Sequence, residues 1–163
     1  MSPRNPRLRA LAAVLLAMLA AACDSDDVTP TDPVPEVLAG TWVATPECRP
    51  SCEFSVRLTE GSGQTISLLD PPMSATIEVE ISTGGGFVMR TTLFGTSQTF
   101  AGTARTKGST IYITLPSAAQ DTATYSISGS TLTLEYQNEI RNIDFDGDGD
   151  EDPGRVRAVL QRR

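Results

Sequence analysis

The sequence predicts an all-β protein, an up-and-down antiparallel β-barrel standing behind an N-terminal export signal and a short acidic tether. Three observations carry that expectation. Apolar residues recur with period two through most of 38–163. Gly, Pro, Asn or Asp breaks the pattern every eight to twelve residues, as in closely spaced strands. No window keeps a 3.6-residue repeat for long enough to argue a helix.

The export signal comes first. Residues 1–9 carry Arg4, Arg7 and Arg9 and no acid, and an unbroken apolar run, 11–22, follows. A basic start and an apolar stretch of this length have signal-peptide proportions, and the stretch is too short for a membrane-spanning helix. It ends LAAAC. Ala20-Ala21-Ala22 fits the small-residue site of an ordinary secretory signal, which would release a soluble protein. The same residues resemble the lipobox of bacterial lipoproteins, which implies removal of 1–22 and acylation of Cys23 as the new N-terminus. Cysteine parity favours the second reading. The chain has three cysteines, Cys23, Cys48 and Cys52, and an odd exposed thiol is unusual in an oxidising compartment. Lipid on Cys23 leaves Cys48 and Cys52 as an even pair. The expected location is therefore the cell membrane or outer membrane, lipid-anchored, with the domain facing the periplasm or the cell surface.

Residues 23–37 form the tether. DSDDVTPTDPVPEV holds five acids and three prolines, too little apolar surface to offset the entropy of ordering. It should be disordered and stiffened by proline, and able to hold a domain roughly 40 Å off the membrane. The net charge of −7 becomes more negative by three once Arg4, Arg7 and Arg9 leave with the signal. Lys107 is the sole lysine. A protein so acidic and without a basic patch is repelled by nucleic acid.

Residues 38–163 are one domain's worth of chain. CEFSVRLTEG sets Phe54, Val56 and Leu58 against Ser55, Arg57 and Thr59. ATIEVEIS sets Ile77, Val79 and Ile81 against Glu78 and Glu80. STIYITLP aligns Ile111, Ile113 and Leu115, and STLTLEYQ aligns Leu132, Leu134 and Tyr136. EGSGQ, STGGGF, TKGS and SGST between them read as hairpin connections. Nine or ten strands, each with one apolar face, must close on themselves or form a sandwich, and sequential hairpins favour the barrel.

Gly40-Thr41-Trp42 in LAGTWVAT resembles the G-x-W that opens lipocalin-like barrels, where the tryptophan closes the barrel floor against the last strand. TYSISGSTLTLEY resembles the late hairpin of bacterial lipocalin-like lipoproteins, and RVRAVLQRR their closing strand. The resemblance covers most of 38–163. It implies that Trp42 is the barrel-closing aromatic and that the barrel carries a small apolar ligand. An eight-stranded barrel has an interior that side chains can also fill, so a scaffold or interaction module for an envelope protein is the alternative.

Catalysis is not expected. The chain has no histidine, which removes Ser-His and Cys-His pairs and His-ligated metals. Glu78 and Glu80 share the solvent face of a strand and read as a charged exterior. GGGF lacks the lysine of a phosphate-binding loop. CRPSC reads as a local disulfide, Cys48 to Cys52, because a redox dithiol takes C-x-x-C at a helix start.

The last feature is IDFDGDGDEDPG. Counting from Asp144, acids stand at positions 1, 3, 5, 7, 8 and 9, with Gly149 at position 6. This is the start of an EF-hand-type calcium loop, but position 12 is Arg155 and the flanks are strands. The stretch resembles the DxDxDGxxD loops that bind calcium within β-proteins. That implies side-chain oxygens from Asp144, Asp146, Asp148 and Asp152, a backbone carbonyl from Asp150, and one structural calcium ion fixing the turn before the last strand. A solvated acidic hairpin tip is the alternative.

Overall fold

Period-two alternation becomes ten antiparallel strands in the computed structural model, which describes residues 32–60, 63–93, 95–116, 120–140 and 150–163. Cys23 and the calcium candidates Asp144, Asp146 and Asp148 lie outside the described residues. The strands are β1 (Gly40–Ala44), β2 (Glu53–Leu58), β3 (Thr65–Ser67), β4 (Thr76–Ile81), β5 (Gly86–Leu93), β6 (Thr96–Lys107), β7 (Thr110–Thr114), β8 (Asp121–Ser128), β9 (Thr131–Ile140) and β10 (Gly154–Arg162). The one helical feature among the described residues is a 3-10 turn at Pro46–Cys48. No helix there is long and apolar enough to cross a membrane.

From β4 to β10 each strand pairs with the next, and β10 returns to pair with β1. The sheet is thus a closed up-and-down barrel, as the hairpin spacing predicts. Two of its walls are interrupted. β10 pairs first with β2, from Gly154↔Leu58 to Val159↔Glu53, and then with β1 at Gln161↔Val43 and Arg162↔Trp42. β1 and β2 are therefore two pieces of one wall, with 45–52 looped out between them. β3 pairs with β2 and β4 with β1, so 68–75 interrupts the neighbouring wall at a similar level. Arg49 and Asp70 form an ion pair between the two inserts. Counting each interrupted wall once, the closed ring has eight strands.

The inward series are those the alternation predicts. Phe54, Val56 and Leu58, Ile77, Val79 and Ile81, Ile111 and Ile113, and Leu132 and Leu134 all belong to one buried apolar cluster. Outward residues follow polar rules. Arg90 Nη1 donates to Glu78 Oε1 at 2.8 Å and to Glu80 Oε2 at 3.4 Å, so these two carboxylates do form a charged exterior. Gly102 shows how tightly the walls are drawn: a Cβ there would lie 2.2 Å from the Thr114 carbonyl oxygen.

Residues just ahead of 38 touch the barrel. Asp32 bridges to Thr106, whose hydroxyl donates to the Pro33 carbonyl at 3.1 Å, and Val34 is buried. Of the expected tether only 32–37 are described, and there Val34 is buried while Asp32, Pro33, Glu36 and Val37 are exposed. Val34 supplies apolar burial that proline content and charge alone concealed.

Candidate functional site

The two ends of the barrel differ in chemistry. At one end lie the β4–β5, β6–β7 and β8–β9 turns together with the start of β1 and the end of β10. Trp42 is fully buried here, and its Nε1 donates to the Leu38 carbonyl at 2.9 Å. Arg162, its cross-strand partner, lays its guanidinium over the indole, 4.4 Å from the ring centroid. The Arg162 guanidinium also donates to the Val37 carbonyl. Gly40 has φ +140, and a Cβ there would lie 3.3 Å from Arg162 Nη1. The G-x-W stretch thus makes a plug: glycine admits the arginine, and the arginine covers the tryptophan. Such a cation–π contact is worth about 0.5–2 kcal/mol depending on how dry it is.

The middle of the barrel is filled. Phe54, Val79, Ile113 and Leu134 expose 2%, 0%, 1% and 0% of their surfaces. A side chain lining a ligand-sized space would present surface to it, and these present almost none.

Toward the other end, where β8 begins and β9 finishes, the inward series turns polar. Asp121 is 3% exposed. Its Oδ1 accepts from the Asn138 side-chain amide and from the Thr122 backbone N–H, each at 2.8 Å. Burial pushes the Asp121 carboxyl up to about 6, against the pull of those two donors. Tyr136 lies on the same face of β9, half-buried, and its hydroxyl reaches Met89 Sδ at 4.0 Å. Burial raises the Tyr136 phenol, and the nearby Asp121 carboxylate raises it further. Thr91, also buried, stands opposite Gln98 on the inner face of β5 and β6. The sequence pattern aligned Tyr136 with Leu132 and Leu134 but did not single out Asp121 or Asn138. Asp121 opens a strand in which Ala123, Tyr125 and Ile127 alternate with Thr and Ser, and a lone acid before such a run reads as a turn residue.

Cys48 and Cys52, paired on their spacing, form a disulfide with Cα atoms 5.5 Å apart, closing the insert between β1 and β2. Of the acidic loop, Asp150 is exposed and Asp152 half-buried, just ahead of β10. Among the described residues no group of three His, Cys, Asp or Glu side chains could hold a metal ion. One carboxyl with a pKa near neutrality can exchange a proton or accept a donor.

No protein-family model and no curated protein matches the chain. Among solved structures it is similar to that of a lipoprotein YedD from Klebsiella pneumoniae subsp. pneumoniae MGH 78578. Identity is 14% and the TM-score 0.43, over 86% of this chain and 83% of that one.

Proposed function

We propose that the protein is a non-enzymatic, lipid-anchored module of the cell envelope, whose filled barrel serves as a rigid scaffold for interactions made on its outside. The observation that supports it most directly is the absence of exposed surface on the inward side chains at mid-barrel, Val79 and Leu134 above all. A carrier of an apolar molecule needs that space. Cys23 supplies the anchor, since more than one acyl chain gives stable membrane attachment. The Asp144, Asp146, Asp148, Asp150 and Asp152 loop holds one structural calcium ion. Carriage of a small ligand is the second reading, and the polar cap at Asp121, Asn138 and Tyr136 is what favours it. A ligand there would sit shallowly, with a hydrogen-bonding head.

Mass spectrometry of protein purified from its own envelope tests both halves. The expected mass is a chain lacking 1–22 with acylated Cys23 and no other stoichiometric organic compound. Cys23→Ser should leave the membrane fraction. An unmodified Cys23 overturns the anchor, and a stoichiometric apolar compound released by organic extraction overturns the scaffold in favour of the carrier.

A further inference from the structure

β10 leaves its regular pairing with β9 at one place. Arg155 lies opposite Glu139 and Arg157 opposite Glu135, so Tyr136, Gln137 and Asn138 face the single residue Val156. A bulge parts two strands and re-aims their side chains. On the outer wall it coincides with a cleft of about 380 Å³, whose lining includes Arg57, Thr124, Glu135, Gln137, Arg155 and Arg157.

On its other edge β10 pairs with β2, and there Arg155 and Arg57 are direct cross-strand partners. Both are exposed on the outer face. Side chains directly opposed on antiparallel strands start about 5 Å apart, and like charges so placed repel. The neighbouring carboxylates do not relieve them evenly. Arg157 holds both Glu53 and Glu135, the latter at 3.1 Å. Glu139 stands 4.0 Å from Arg155. Arg57 makes no ion pair among the described residues. Two guanidinium groups therefore share one side of a cleft, in a chain whose overall charge is −7. Thr124 adds a hydroxyl and Gln137 an amide.

We infer that this cleft is a binding site for a phosphate group, bridged by Arg57 and Arg155. A phosphate monoester carries up to two negative charges at neutral pH and offers three terminal oxygens. It can satisfy two planar forks at once, which a carboxylate with two oxygens does less fully. The group can belong to a small soluble phosphate ester or to a phospholipid headgroup. The site is on the outer wall and does not depend on what the barrel interior holds.

The test uses the full chain with Cys23→Ser, in buffers of matched ionic strength containing chloride or inorganic phosphate. Phosphate should shift the backbone amide resonances of Arg57, Thr124, Gln137 and Arg155 in a saturable way and raise the melting temperature. Arg57→Gln should weaken binding roughly tenfold or more, as loss of a charge-assisted hydrogen bond does. In chloride, that variant should melt at least as high as the wild type, because it removes one of two opposed charges. Phosphate also stabilises proteins generally by exclusion from their surface, and the variant controls for this. Should Arg57→Gln fold poorly, Arg155→Gln makes the same test from the opposite strand. Flotation with phosphatidate vesicles but not phosphatidylcholine vesicles would assign the phosphate to lipid. Saturation by glycerol phosphate without flotation would assign it to a soluble ester. Equal phosphate effects on wild type and both variants, or no resonance shift at these residues, would overturn the site.

Discussion

Asp121 sits where a carboxylate is expensive. Its ordinary pKa of 3.8 is raised to about 6, chiefly by burial. Between those two values the folded state holds more of the proton than the unfolded state does, so stability falls as pH rises from about 4 to about 6 and stays lower above. Two pKa units correspond to about 3 kcal/mol. Asp121→Asn keeps the shape and an acceptor for Asn138 and the Thr122 N–H. It should leave the protein as stable or more stable at pH 7.5, by up to about 3 kcal/mol, and remove that part of the slope between pH 4 and 6. Urea unfolding of wild type and variant across this range checks it, and parallel curves would show that Asp121 titrates normally. At this scale the sequence discloses only part of the molecule. The period-two residues such as Val79 and Leu134 announce their burial, because alternation is local. Asp121 does not, because its burial depends on Asn138 arriving from the next strand.

At the scale of single elements, the interruption of two walls separates what was legible from what was not. Turn-rich stretches such as TKGS and SGST mark hairpins directly, and β6–β7 and β8–β9 are joined there. That β1 and β2 continue one wall cannot be read locally, since it follows from both pairing with β10 far along the chain. The opposition of Arg57 and Arg155 is hidden for the same reason. The disulfide within the first insert closes a short loop, so its stabilisation is at the small end of the usual range, about 2 kcal/mol. The double variant Cys48→Ser with Cys52→Ser should fold to the same barrel and lose about that much in denaturant unfolding. A non-reducing peptide map should link the two residues in the wild type. Complete loss of folding would mean that the insert organises the wall.

For the molecule as a whole, the segment leading into β10 matters most, because β10 touches β9, β2 and β1. We propose that calcium in the 144–152 loop binds the folded form, on the ground that only a formed loop could bring its carboxylates to one ion. With a dissociation constant on the order of 10⁻⁴–10⁻³ M, as in extracellular modules, a tenfold excess adds roughly 1.4 kcal/mol. The melting temperature should rise by several degrees in calcium relative to chelator. Asp146→Asn with Asp148→Asn should abolish the rise, and a rise retained by that double variant would reduce the loop to a solvated turn. The barrel itself should stay folded in chelator, since its core is apolar and does not depend on an ion.

The pairing of Trp42 with Arg162 joins the first strand of the barrel to its last. Loops that long make native contacts slow to form, typically on the millisecond-to-second scale for β-rich domains. A chain emerging from its amino end would present β1 long before β10 exists to receive it. Until then the indole of Trp42 has no guanidinium above it, and the edges of β1 and β2 are open. The finished domain thus forms only after β10 is delivered. In the interval the nascent chain is the species most exposed to aggregation and to proteases, and any factor that guards this protein would meet it then.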